Sequence, residues 1–157
     1  MKNQTEFSRQ LIKGKIAEHI FEQMLREAGC FTVLAFGYEN ILPELMHQQQ
    51  GMKVAQTMEV IRRAPDFAVI NNKTHEVHLI EVKYRQKLKP SEILTLTSRM
   101  YESWKPSYLF LATPEGFYFG KVSDIVESEG KIKPLSHSQI SLALQDKYRK
   151  LLNEFID

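Results

Sequence analysis

Apolar residues recur at three- and four-residue intervals from about Thr5 to Ala28, where Phe7, Leu11, Ile16, Ile20, Phe21, Met24, Leu25 and Ala28 fall near one stripe. That spacing predicts an amphipathic helix whose stripe meets a core, and Gly29 follows it as a C-terminal glycine should. Phe31 to Phe36 is a short β-branched and aromatic run that reads as a buried strand ending at Gly37. From Asn40 to about Gln50 the period is again helical, with Asn40 as N-cap and Pro43 in the first turn, where a missing N–H costs little. Between Gly51 and Arg63 the period is ambiguous, and Thr57 to Ile61 reads as strand.

Two apolar runs, Phe67 to Ile70 and Val77 to Tyr84, flank the polar connection Asn71 to Glu76 and predict a hairpin. Ser91 can cap a helix that buries Ile93, Leu96, Met100 and Trp104 and ends near Lys105. Tyr108 to Thr113 and Phe117 to Val122, joined by Pro114, Glu115 and Gly116, predict a second strand pair. A loop carrying Glu127, Glu129 and Gly130 then leads to a last helix from about Ser138 to Phe155, with Leu142, Leu144, Tyr148, Leu151, Leu152 and Phe155 apolar. Helix, strand, helix, several strands, helix, strands, helix is the order of one α/β domain with a mixed sheet spanning residues 1–157.

Composition narrows the class. A chain of 157 residues with ordinary apolar and charged fractions builds one core and has no repeats or linker. Its net charge of +2 permits nucleic acid as a partner without demanding it. Cys30 is the only cysteine, which excludes an intramolecular disulfide and fits a reducing compartment. The start lacks an apolar signal region and no apolar run approaches a membrane span, so a cytoplasmic protein is expected.

The chemistry concentrates between Pro65 and Arg85. Strand alternation places Glu81 and Lys83 on one face of their strand and Ile80, Val82 and Tyr84 on the other. A hairpin centred near Lys73 and Thr74 sets Asp66 opposite Glu81, with Cβ atoms about 5 Å apart; a slip of one residue would separate them. Two carboxylates that close repel unless a positive charge lies between them. Oxygen donors of this kind suit Mg²⁺ or Mn²⁺, with the Val82 carbonyl as a further ligand. Lys83, on the same face, could contact a scissile phosphate or help deprotonate an attacking water. The reaction that fits is metal-assisted phosphodiester hydrolysis.

These residues resemble a known superfamily. Pro65-Asp66 followed by Glu81-Val82-Lys83 looks like the signature of the PD-(D/E)XK nucleases, and Gly14-Lys15-Ile16-Ala17-Glu18 looks like the helical GxxAE segment of archaeal Holliday-junction resolvases and related endonucleases. The resemblance implies a restriction-endonuclease-like core, in which a mixed β-sheet with a catalytic hairpin is flanked by helices. It implies a DNA endonuclease acting on branched or recombining DNA, with Glu18, Asp66, Glu81 and Lys83 catalytic. Glu18 would be a third acid, completing a Mg²⁺ or Mn²⁺ site with Asp66, Glu81 and Val82.

Other readings stand beside it. Glu22, one turn after Glu18, competes for the third position. His75 and His78 are three apart, which in a strand sends them to opposite faces, so they read as turn residues rather than metal ligands. Cys30 pairs with no histidine at a spacing that makes a nucleophile. Arg62, Arg63, Arg85 and Lys87, with Lys89, flank the site and could hold a DNA backbone or could be solvated strand ends. Tyr101 and Trp104 read as core rather than stacking platforms. Cutting both strands of a duplex calls for two sites, hence a homodimer. The alternative class is a nucleic-acid- or protein-binding module that retains the nuclease fold without cleaving.

Overall fold

The computed structural model describes residues 3–37 and 59–156. The helix expected from Asn40 to Gln50 lies outside them. Helix α1, Gln4–Ala28, opens with Asn3, whose side chain accepts the Glu6 N–H at 2.8 Å. It closes at Gly29 in the left-handed region (φ 82°), with the Gly29 N–H donating to the Arg26 carbonyl.

Strands β1 (Phe31–Ala35), β2 (Phe67–Asn71), β3 (Val77–Tyr84), β4 (Ser107–Thr113) and β5 (Gly116–Lys121) form one five-stranded mixed sheet in the order β1-β2-β3-β4-β5. Only the β3–β4 pair is parallel. Its crossover is helix α2, Pro90–Ser103, as parallel neighbours require. Two further helices follow the sheet's last strand: α3, Val122–Glu127, and α4, Leu142–Phe155.

Helices cover both faces of the sheet. On one, Ala17, Ile20, Phe21 and Met24 of α1 and Tyr148 and Leu152 of α4 pack on Phe67, Val69, Ile80, Val82, Phe110 and Ala112. On the other, Ile93 and Met100 of α2 and Val122 and Ile125 of α3 pack on Leu109 and Leu111. Strand β4, covered on both sides, is therefore apolar at nearly every position.

Several expectations are corrected. Residues 59–61, the described part of the stretch expected as strand from Thr57 to Ile61, are helical. Arg62 reaches Glu59 one turn back at 3.3 Å, and Val60 and Ile61 alone do not hold the chain extended. Ser91 does not cap α2: Pro90 occupies its first turn, where no N–H is needed, and Lys89 is the cap residue without a side-chain bond. The segment after β5 is helix α3 rather than loop. Helix α4 starts later than Ser138, because His137 and Ile140 form a bridge and Ser141 is the residue that caps, accepting the Leu144 N–H at 3.1 Å. Phe7 and Leu11, expected against the core, are 56% and 54% exposed, and Leu142 and Phe155 are exposed as well. The α1 case follows from length: 25 residues of helix extend about 37 Å, beyond the roughly 26 Å of the longest strand.

Gly130 lies where the chain leaving α3 meets the start of α2. Its φ is +92°, and a Cβ there would lie 2.0 Å from the Pro90 carbonyl oxygen and 3.1 Å from the Leu94 nitrogen. Gly130→Ala therefore forces the end of α3 off the start of α2, with an expected loss of about 2 kcal/mol or more in urea unfolding; a wild-type midpoint would show that the two backbones do not meet.

Candidate functional site

The β2–β3 ladder ends at Phe67 opposite Ile80, while β3 continues to Tyr84 paired with β4. Among the described residues, 81–84 thus present an edge with no strand beside it. The Val82 N–H points to it and is satisfied by a side chain, Asp66 Oδ2, at 2.9 Å. Strand geometry sends the Val82 carbonyl to the same edge. Extending the register by one residue sets Asp66 opposite Glu81. The backbone of Asp66 is fixed too, since its carbonyl accepts the N–H groups of Phe36 at 2.8 Å and Gly37 at 3.2 Å, and Pro65 before it is buried.

The structure brings Glu18, Asp66, Glu81 and Lys83 to one cavity of about 380 Å³, which Val82, Arg62 and Arg85 also line. Glu18 enters from α1, with its neighbour Lys15 at 3.3 Å. Glu22 is occupied elsewhere, paired with Arg26 at 2.6 Å. Arg63 turns toward Ser103 (3.4 Å) and Glu102 (3.9 Å) and does not line the cavity. Lys87 is exposed outside its wall, and Lys89 pairs with Glu92 at 3.7 Å.

The electrostatics follow from burial. Asp66 is pushed up to about 8, first by burial, then by its hydrogen bond with Glu81 and that residue's charge, against the lowering effect of the Val82 N–H and Lys83. Glu18 is pushed up to about 7, first by burial and then by the Asp66 charge, with Lys15 opposing. The three carboxyls therefore form a chain of close neighbours with Asp66 in the middle. Among the described residues no three His, Cys, Asp or Glu side chains stand as a formed metal site. The donor set, three gathered carboxyls and a strand-edge carbonyl, has the chemistry of a hard-cation site.

The remaining candidates have structural places. His75 takes a left-handed turn conformation (φ 64°). His78 packs edge-on against Tyr108 and lies 3.4 Å from Glu76. Cys30 is half-buried, its Sγ near the Ala28 carbonyl. Tyr101, expected in the core, is exposed beside Lys105, because it lies on the solvent side of α2. Trp104 is the half-buried C-cap residue of α2; it donates to the Val60 carbonyl at 2.8 Å and meets Phe36 edge-on, bracing the segment that leads into Asp66.

The cavity wall on the α1 side was not legible in the sequence. Phe7, Leu11 and Gly14 form part of it. A Cβ at Gly14 would meet no atom within 4 Å, so packing does not require glycine there. A glycine inside a helix costs about 1 kcal/mol relative to alanine, and what the absent side chain leaves is open space above Glu18. Lys13 and Arg99 line an adjoining cavity that also reaches Tyr84 and Arg85. They come from two distant helices, so only the fold could reveal them.

Comparison with protein-family models, curated proteins and solved structures gives no match for this chain. Among the described residues no helix is long and apolar enough to cross a membrane.

The raised carboxyls make metal-free stability depend on pH. In the unfolded chain both groups return to the ordinary range near 4, whereas the folded protein keeps their protons up to about 7 and 8. The stabilisation from protonation is full below about pH 4 and is lost as pH rises through 7 and 8. Thermal melting of metal-free protein should therefore show a falling Tm from pH 5 to 8.5, and Asp66→Asn should flatten the profile and melt higher than wild type at pH 8. A wild-type Tm that rises over this interval would contradict the assignment.

Proposed function

We propose that this cleft is the active site of a divalent-metal-dependent DNA endonuclease on a PD-(D/E)XK core. One observation carries the reading: Glu18, Asp66 and Glu81 converge from a helix and two strands on an unpaired strand edge, with Lys83 two residues along. Three carboxyls gathered this closely, two of them desolvated, are unfavourable for stability alone, and a cation is the simplest agent that reverses their repulsion. The described order, a helix, three antiparallel strands, a covering helix and a parallel strand, is compatible with the helix-flanked, hairpin-bearing mixed sheet of that superfamily.

In this reading Asp66, Glu81 and the Val82 carbonyl would hold Mg²⁺ or Mn²⁺, with Glu18 as the third acid. The metal, when bound, supplies positive charge at the scissile phosphate. The chain's own residues do the rest. Asp66 is held by the Val82 N–H, so its free oxygen keeps a fixed direction. Lys83 lies beside the acids, where it can stabilise charge on the phosphate or orient the attacking water. Arg62 and Arg85 at the mouth are suited to flanking phosphates. Each cleft has one set of acids, so cutting both strands of a duplex would take a second copy of the chain.

The direct test is cleavage of plasmid, linear and four-way-junction DNA with Mg²⁺ or Mn²⁺. Wild type should nick or cut at least one of them, while Glu81→Ala and Lys83→Ala should each lose at least about 100-fold in rate and still bind DNA. Wild-type protein that binds DNA but leaves every substrate intact with either metal would instead be a binding module that has kept the fold.

A further inference from the structure

The acidic floor occupies one end of a longer trough. Its α1 wall carries Phe7 and Leu11, more than half exposed, over the same cavity that holds Glu18, Asp66 and Glu81. A second cavity of about 720 Å³ continues from the first, since Gln10, Tyr84 and Arg85 belong to both. It runs between α1 and the first turns of α2 and adds the cations Lys13 and Arg99. Lys13 Nζ lies 5.7 Å from the centre of the Tyr84 ring, and Arg99 forms no ion pair among the described residues. Glu92, the acid of this second cavity, pairs with Lys89.

We propose that this trough is a track for an unpaired nucleic-acid strand, with bases lying on Phe7 and Leu11 and backbone phosphates crossing Arg85, Lys13 and Arg99 toward the acids. The choice of polymer rests on the nuclease reading; the choice of single strand rests on the wall. A continuous duplex turns its phosphates outward and hides the flat faces of its bases, leaving Phe7 and Leu11 against sugar and phosphate. An unpaired strand offers both surfaces at once, apolar faces to the wall and phosphates to the cations. An acidic peptide would suit the cations but would also meet Glu18, Asp66 and Glu81. A second copy of this chain carries net charge +2 and brings no acidic excess to the same cations. Open space at Gly14, between Leu11 and Glu18, leaves the path to the floor clear.

The test is fluorescence anisotropy in EDTA, where nothing is cut, with labelled oligo(dT) and a hairpin-capped duplex of equal length. Oligo(dT) should bind more tightly than duplex. Phe7→Ala should weaken oligo(dT) about tenfold and leave the salt dependence unchanged. Lys13→Ala and Arg99→Ala should each reduce the slope of log affinity against log salt by about 0.7. Gly14→Leu, at a position with room and with better helix propensity, should stay folded and weaken oligo(dT) as Phe7→Ala does. Equal affinity for strand and duplex, or unchanged oligo(dT) binding by Phe7→Ala, overturns the proposal. So does sedimentation showing that Phe7→Ala dissociates a dimer while strand affinity holds, since the wall would then belong to a contact between copies. Tight, Phe7-dependent strand binding by a protein that cleaves nothing would remove the nuclease reading and leave the track standing.

Discussion

The structure turns on a ladder that stops early. β2 leaves β3 after Phe67 and Ile80, while β3 stays paired with β4 for four residues more. An edge opened inside a sheet normally leaves an N–H group wanting a partner, and a buried one costs about 1–3 kcal/mol. Here Asp66, the last residue before the ladder, supplies its carboxylate in place of a backbone carbonyl. That substitution satisfies the Val82 N–H and points an ionisable group into the gap. Had β2 begun two residues sooner, its backbone would have filled the edge and no cleft would exist.

The second acid depends on how firmly α1 is seated. Phe21 lies between the rings of Phe67 and Phe110, at 5.2 and 4.8 Å, and Ala17, Ile20 and Met24 are buried around it. With that stripe fixed, Glu18 has one direction available, on the flank of the stripe that faces the strand edge. The same seating explains the overhang. Where the sheet ends, the helix continues on its own capping and propensity, and its apolar stripe emerges with nothing described beneath it. Anchor, acid and exposed wall are consecutive segments of one rod.

What could be read in the sequence was whatever depends on local period and parity. The α1 stripe, the strands from Phe31, Phe67, Val77 and Tyr108, and the pairing parity of Asp66 with Glu81 all follow from alternation and from one turn centred at Lys73 and Thr74. Residues whose role is set by where elements end relative to each other were not legible. Phe7 and Leu11 carry the same spacing as Ile20 and Met24, and nothing local says that the sheet stops between them. Arg62 and Arg63 are adjacent and chemically alike, yet the first lines the cleft and the second turns to Ser103, because successive residues of a helical segment point about 100° apart. Lys13 and Arg99 become neighbours only through the packing of α1 and α2 about β3.

A fold that gathers Glu18, Asp66 and Glu81 in a half-buried cleft accepts a local conflict. Burial and the charge of a neighbouring acid push Glu18 and Asp66 toward their neutral forms, and Lys15, Lys83 and one backbone N–H oppose them. A sequence selected for stability alone could relieve the conflict with a single neutral residue, because an asparagine at Asp66 could still accept the Val82 N–H. On the proposed reading a bound cation offsets that repulsion, and the all-oxygen donor set favours a small, hard one. The net charge of +2 does not contradict this acidic centre. Cations line the cleft mouth and the trough beyond it while the acids sit deep, so a polyanion would meet attraction along its length before it reached the acids.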